Sequence, residues 1–166
     1  GDTRRDATCW DVRGVTYTER YQDTHIWLAK YRPFTENNKD AGFDNNLNYN
    51  NNYRYYRYAE TLLNAAELSV RTGGGNAATY LNEVRSRAGL GNIDATIDNI
   101  IEERHLEFVG EGKRYWDLVR SGKAASVLVP DQYGYRTNAW TERKKYIPIA
   151  QAEIDAAQGT LVQNNY

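Results

Sequence analysis

No methionine occurs anywhere in the 166 residues, and a single cysteine, Cys9, stands alone. One thiol excludes an internal disulfide and any metal site built from several thiolates. An excess of either charge is missing too: 21 Lys and Arg face 22 Asp and Glu, for a net charge of −1. Phosphate backbones are held by basic faces, so this balance argues against nucleic acid as a partner. Mean hydropathy is −0.81, and no apolar run approaches the ~18 residues that a membrane-spanning helix needs. A chain without methionine that opens on Gly1-Asp2 is expected to be a fragment or processed part of a longer one. Any targeting segment would then lie upstream.

Aromatic side chains are plentiful but unevenly chosen: 14 Tyr and 4 Trp against 3 Phe. Tyr and Trp join an apolar face to a polar edge, which suits contact surfaces as well as cores. The bias fits recognition of sugars or peptides, and fits a tyrosine-rich core equally. The length suits one domain with a substantial core.

Residues 1–35 mix charges with Trp10, Tyr17, Tyr21, Trp27 and Tyr31, and Val12 to Thr18 reads as extended chain or loop. Residues 36–52 shift sharply to Asn, Asp and Gly, which predicts a loop, because these side chains compete for backbone hydrogen bonds. Calcium there is a minority reading, since the order of ligands in a calcium loop is missing. A helical core is expected over 53–122. Tyr55, Tyr58, Ala59, Leu62, Ala66 and Val70 recur at helical spacing and should face inward. Gly73-Gly74-Gly75 stops that helix. Asn76 is a plausible N-cap for the next, with Ala77, Tyr80, Leu81, Val84 and Ala88 as its stripe and Gly89-Leu90 as its C-terminal cap. The two should form a hairpin. A third helix starts near Asp94 or Thr96 and carries Ile97, Ile100, Ile101 and Phe108 inward. Gly110 and Gly112 interrupt the pattern, a short fourth helix ends at Gly122, and a last one starts near Gln151 after an irregular aromatic stretch. The fold class is mainly α, with long irregular aromatic-rich loops.

Chemistry-bearing motifs are weak. Glu102-x-x-His105 has a di-iron spacing, but a second copy is missing: His25 has Gln22 where the Glu should be. Gly112-Lys113 lacks the Ser/Thr and the first glycine of a phosphate loop, and no nucleophile elbow is present. Glu103, Glu107 and Glu111 stand four apart. Such carboxylates can serve glycoside hydrolysis, but interleaved with Arg104, Lys113 and Arg114 they read better as a solvated or ion-paired face. Arg114 and Asp117 are expected to pair locally. Neither a metal nor a cofactor is expected, and no catalytic set can be assembled.

Three runs carry a family resemblance: "YRYAETLLNAAEL", "AATYLNEVRSRAGL" and "IIEERHLEFVGEGKRYWDLVRSGKA". Together with the "PIAQAEI" near the end, they resemble the C-terminal half of the SusD/RagB family. The matching positions are Arg57, Tyr58, Ala59, Glu60, Leu62, Leu63, Ala66 and Glu67, then Leu81, Asn82, Val84, Arg85 and Arg87 to Leu90. They continue through Glu103, Arg104, Glu107, Phe108, Glu111, Gly112, Arg114, Asp117, Leu118 and Arg120. His105, Ser121 and Ala150 depart from the family pattern, and "QNNY" lacks its usual Pro-Gly.

The resemblance implies helix hairpins of the tetratricopeptide-like, SusD type, with residues 1–166 as a C-terminal portion whose N-terminal part is missing. It further implies an outer-membrane lipoprotein on the extracellular face, anchored by a lipid upstream of this chain. Such a protein binds glycans without catalysis and hands them to a SusC-like TonB-dependent transporter. A RagB-like peptide cargo is the alternative, and a helical-hairpin adaptor a weaker one. The matched blocks are scaffold. Candidate ligand residues follow instead from what a sugar needs, an exposed aromatic face flanked by amides: Trp10, Trp27, Tyr133, Tyr135 and Trp140, with Gln132 and Asn138.

Overall fold

The computed structural model describes residues 1–32 and 52–164. The expected Asn-rich loop, and with it the calcium reading, lies outside the described residues apart from Asn52. The fold is mainly α, as expected: seven α-helices and two three-residue strands among the described residues. In order they are α1 (Arg4–Thr8), β1 (Cys9–Asp11), β2 (Ile26–Leu28), α2 (Tyr58–Thr72), α3 (Ala77–Arg87), α4 (Ile97–Glu107), α5 (Arg114–Arg120), α6 (Ala124–Val127) and α7 (Gln151–Ala156). A 3-10 turn at Glu142–Lys145 precedes α7. The chain divides into two compact units, Gly1–Arg114 and Tyr115–Tyr166.

The first unit is built on α2, α3 and α4. Ala59, Leu62, Leu63 and Ala66 of α2 meet Leu81 and Val84 of α3, Ile100 of α4, and Phe108 just beyond it. Fully burying a side chain such as Leu63 or Ile100 contributes roughly 1.5–3 kcal/mol. Helix ends follow local chemistry. The Thr96 hydroxyl accepts the Asn99 N–H at 3.1 Å and starts α4. After α3, Gly89 N–H donates to the Ser86 carbonyl and Leu90 N–H to that of Arg85, both at 3.0 Å. This is the hydrogen-bond pattern of a left-handed cap.

Tyr55 and Tyr58 correct the expected inward stripe. Tyr55 precedes α2, and both tyrosines are exposed. Tyr58 lines a groove of about 290 Å³ with Leu62, Val84 and Arg87 instead of filling the core. The short helix α1 and the β1–β2 ribbon are additions to the expected elements. Their strands are antiparallel, with Trp10 opposite Trp27. Ala29 N–H donates to the Thr8 carbonyl at 2.7 Å, and Thr3 N–H to that of Ala88 at 3.2 Å, tying this N-terminal segment to the end of α3.

Gly110, after α4, has φ +77°, and a Cβ there would lie 2.6 Å from Leu28 Cδ2. Gly110→Ala is therefore expected to cost about 1–2 kcal/mol for the left-handed backbone and to displace the Leu28 side chain. Gly112→Ala has a similar φ of +72° and an open surrounding, so it carries the backbone cost alone. Thermal unfolding of the two variants side by side measures the Leu28 contact as their difference.

In the second unit, α5 buries Asp117 and Leu118, and α6 buries Ala124. The Gln163 side chain clasps residue 149, accepting from Ile149 N–H at 3.1 Å and donating to its carbonyl at 2.9 Å. Trp140 N–H donates to the Leu128 carbonyl at 2.9 Å. Asp117 accepts from Arg120 at 2.8 Å, not from the expected Arg114. Arg114 reaches instead toward the Ile101 carbonyl and Glu102. Arg120 stands three residues from Asp117, as Arg114 does, on its other side along the helix.

Candidate functional site

The β1–β2 ribbon presents an aromatic group at its non-core face. Cross-strand pairing sets Trp10 beside Trp27, rings edge-to-face at 5.9 Å and 89°. Tyr17, from the loop joining the strands, meets Trp27 edge-to-face at 4.8 Å and 75°. The Arg32 guanidinium lies 4.8 Å over the Trp10 ring, which is half-buried. Trp27 keeps 38% of its surface exposed.

Polar groups ring this cluster. Asp23 Oδ1 accepts the His25 backbone N–H at 2.8 Å and the Trp27 indole N–H at 3.3 Å. The Tyr17 hydroxyl and His25 Nδ1 are 2.6 Å apart, and His25 Nε2 lies 3.0 Å from Glu19. The His25 backbone N–H, outweighing burial, holds the Asp23 carboxyl below its ordinary value, with the indole and Tyr17 adding to the effect. Burial, then the negative charge of Asp23, pushes the Tyr17 phenol up. An indole face bordered by a carboxylate, a phenol and an imidazole suits a ligand with one C–H-rich face and several hydroxyls.

The other sequence-derived candidates belong to the second unit. Tyr133 and Tyr135 stand exposed with rings 5.9 Å apart and tilted 38°. Asp131 shapes their turn by accepting the N–H groups of Tyr133 at 2.8 Å, Tyr135 at 3.2 Å and Arg136 at 2.6 Å. Burial pushes the Asp131 carboxyl up, but these donors together outweigh it and keep the group below its usual range. Gln132 is exposed. Asn138 is exposed and donates to the Thr137 hydroxyl at 3.2 Å. Trp140 is half-buried and donates its indole N–H to the Tyr115 hydroxyl at 3.2 Å; Tyr115 in turn donates to the Lys144 carbonyl. Tyr17, Asp23, His25 and Arg32 were not among the ligand residues chosen from the sequence. Trp27 with Asp23 four residues earlier was the available signal, but only the ribbon register gives it meaning.

Of the two readings of the glutamates spaced four apart, the ion-paired one holds and the solvated one does not. Glu103, Glu107 and Glu111 are 1%, 2% and 5% exposed. The reason is their partners, which come from distant segments and not from the interleaved Arg104, Lys113 and Arg114. Glu103 pairs with Arg4 at 2.7 Å and Arg85 at 2.8 Å. Glu107 pairs with Arg4 at 3.0 Å, Arg57 at 2.8 Å and Arg87 at 2.5 Å. Glu111 holds Arg57 at 2.7 Å together with Lys30. Arg104 is itself buried, donating to Asn64 at 2.8 Å and facing Glu60 at 3.6 Å; Lys113 also reaches Glu60, at 3.0 Å. Glu67 holds Arg71 at 2.8 Å, and Asn82 holds residue 93 through both its amide atoms at 3.0 Å. The resembling positions thus act as an ionic scaffold that ties α1, α2, α3 and α4 together. Glu102 and His105, the pair with di-iron spacing, are exposed and 3.2 Å apart.

The scaffold gives stability a defined pH dependence. Burial works against the Glu111 carboxylate, but Arg57 and Lys30 outweigh it, so its pKa lies below the ordinary 4.5. Arg4 likewise holds Asp2 below 3.8. A carboxyl depressed by folding contributes stability that is fully present above its unfolded pKa and is lost as pH falls through the folded one. The melting temperature should therefore be insensitive to these groups above about pH 5 and fall steeply below about pH 4. Glu111→Gln should flatten that acid limb. Melting curves between pH 3 and 7 check both statements.

A model of the SusD family matches residues 6–166. The chain belongs to the SusD family. Among curated relatives, it is 31% identical over 184 aligned positions to the SusD-like protein P2 of Formosa agariphila, which covers 99% of this chain and 35% of that protein. Among solved structures it superimposes on surface glycan-binding protein A from Bacteroides thetaiotaomicron with a TM-score of 0.93 and 63% identity, over 99% of this chain and 38% of that one. The same protein, with the same figures, has been solved in complex with laminarihexaose. A laminarin-binding SusD-like protein is 34% identical, with a TM-score of 0.82 over 98% of this chain and 35% of that one. This SusD-family chain thus spans about a third of the length of the relatives it matches.

Proposed function

We propose that this chain is the C-terminal portion of a surface glycan-binding protein that captures a laminarin-type glucan without cleaving it. The observation that carries the reading is the 63% identity, at a TM-score of 0.93, to a protein solved with laminarihexaose bound. The laminarin-binding relative at 34% identity supports the same substrate class. On this reading Trp27 is the stacking surface for a pyranose ring, with Trp10 behind it, and Asp23 and the Tyr17 hydroxyl within reach of the sugar's hydroxyls. Tyr133 and Tyr135, with Gln132, Asn138 and Trp140, are a second candidate contact set, in the other unit. The captured glucan passes to a SusC-like TonB-dependent transporter at the outer membrane, and a lipid on the remainder of the protein supplies the anchor.

The test is calorimetric titration of the protein, with the remainder of its length present, against laminarihexaose, an anionic oligosaccharide and a peptide pool. Chromatography of the recovered sugar completes it. Saturable binding of the neutral glucan, recovered intact, is the expected result. A response to peptides alone would replace the glycan with a peptide cargo. Recovery of shortened glucan would overturn the non-catalytic reading.

A further inference from the structure

The geometry points to Asp23 and His25 as positioning residues that hold the Trp27 indole in a fixed plane, an inference that rests on the reading of Trp27 as a stacking surface. A tryptophan on a three-residue strand with 38% of its surface exposed is poorly constrained by its strand alone. A ligand that stacks on a mobile ring must order it, which lowers affinity; a ring fixed beforehand avoids that loss.

Trp27 is restrained on several sides. Trp10 and Tyr17 meet it edge-to-face at 5.9 and 4.8 Å. Asp23 Oδ1 accepts its indole N–H at 3.3 Å while also accepting the His25 backbone N–H at 2.8 Å, so one oxygen ties the ring to the turn before it. That turn is unusual. Gln22 and His25 both lie in the left-handed region, at φ +57° and +58°, although neither is glycine. Such conformations persist where the surroundings over-determine them.

Here the surroundings are specific. The His25 carbonyl accepts the N–H of the fully buried Val12 at 3.0 Å, which anchors the turn to the fold. The left-handed backbone turns the imidazole back toward Tyr17, 2.6 Å from its hydroxyl, with Glu19 on the opposite ring nitrogen at 3.0 Å. His25 thereby fixes Tyr17, and Tyr17 fixes one edge of Trp27. Asp23 fixes the indole nitrogen directly. The Tyr17 hydroxyl also bonds Asp23, so the two restraints on the ring share that carboxylate.

The experiment uses the protein with the remainder of its length present and 5-fluorotryptophan incorporated. The Trp27 resonance is assigned by its loss in Trp27→Phe, and affinity is read by titration with laminarihexaose. Asp23→Ala should shift and broaden the free-state Trp27 resonance and weaken binding roughly fivefold to tenfold. Asp23→Asn keeps the accepting oxygen and should restore both. Tyr17→Phe keeps the ring but removes the hydroxyl's bonds to His25 and Asp23, and should move the resonance with a smaller loss of affinity. An unmoved resonance with wild-type affinity in Asp23→Ala overturns the positioning role while leaving the stacking surface standing. Wild-type affinity in Trp27→Ala overturns the stacking surface, and this inference with it. A melting curve for each variant separates either result from loss of the fold.

Discussion

Glu107→Ala should lower the stability of the first unit by about 3–5 kcal/mol, the range for removing one partner from a buried ionic group. Its two carboxylate oxygens accept from three guanidinium groups: Arg57 at 2.8 Å and Arg87 at 2.5 Å on one, Arg4 at 3.0 Å on the other. The Glu107 carbonyl takes Lys30 at 2.9 Å and Arg57 at 3.2 Å, contacts the substitution leaves in place. What alanine leaves behind is positive charge. Glu103 and Glu111 can compensate only part of it, because their oxygens already hold Arg4, Arg85, Arg57 and Lys30. A groove of about 390 Å³ lined by Arg4, Lys30, Arg57 and Arg87 gives water a route to these groups, which sets the loss below the limit for a dry interior. Arg87→Ala is the control. Its side chain is 58% exposed, so its pair with Glu107 is largely solvated and its loss should cost about 1 kcal/mol or less. Hydrogen exchange of the α2, α3 and α4 amides, with the remainder of the protein present, measures both. Equal and small effects would mean that the apolar core carries the unit without its ions.

The helices were legible in the sequence because their signals are local. Leu62, Ala66, Leu81, Val84 and Ile100 recur at helical spacing, and all are buried. Gly89-Leu90 carries its cap in two letters. The sequence allowed the carboxylates of Glu103, Glu107 and Glu111 to be ion-paired but not to be buried, because the deciding partners lie far along the chain. They look like a surface stripe until Arg4, Lys30, Arg57 and Arg85 arrive from elements up to 103 residues away. Carboxylates in a row are normally excluded from a core by the cost of desolvation, and only this convergence of cations reverses the expectation. Tyr58 failed for the opposite reason. Its spacing fits the stripe, but a groove stands where a packing partner would be.

The candidate site was half legible. Trp10 and Trp27 could be chosen as aromatics outside the helical stripes, yet sixteen positions separate them and each strand has only three residues. Strands that short give no alternation to read. Their register, and with it the Trp10–Trp27 contact, follows from the antiparallel pairing. The place of Tyr17 and His25 beside Trp27 was not legible, because nothing in the sequence marks Gln22 and His25 as left-handed; Asn or Gly would have. Trp140 was chosen as an open aromatic, whereas its indole N–H is engaged by Tyr115.

Trp27→Ala should weaken laminarihexaose binding about 30-fold, the equivalent of the ~2 kcal/mol that defines a dominant contact residue. Two losses combine in that figure. On the proposed reading the pyranose would lose the aromatic face for its C–H groups, and Trp10 and Tyr17 lose the ring against which both pack. Trp10→Ala removes only the supporting ring and the contact with Arg32, so its effect should be smaller, about fivefold. Tyr133→Ala and Tyr135→Ala test the second set independently, since their turn is held by Asp131 through backbone groups that alanine retains. Trp116→Phe serves as the control: it is an exposed tryptophan outside both sets and should leave the affinity unchanged. Calorimetry on the five variants ranks the surfaces directly. A loss confined to Tyr133 and Tyr135 would move the stacking surface to the second unit, while losses in both sets would give each unit a glucan contact of its own.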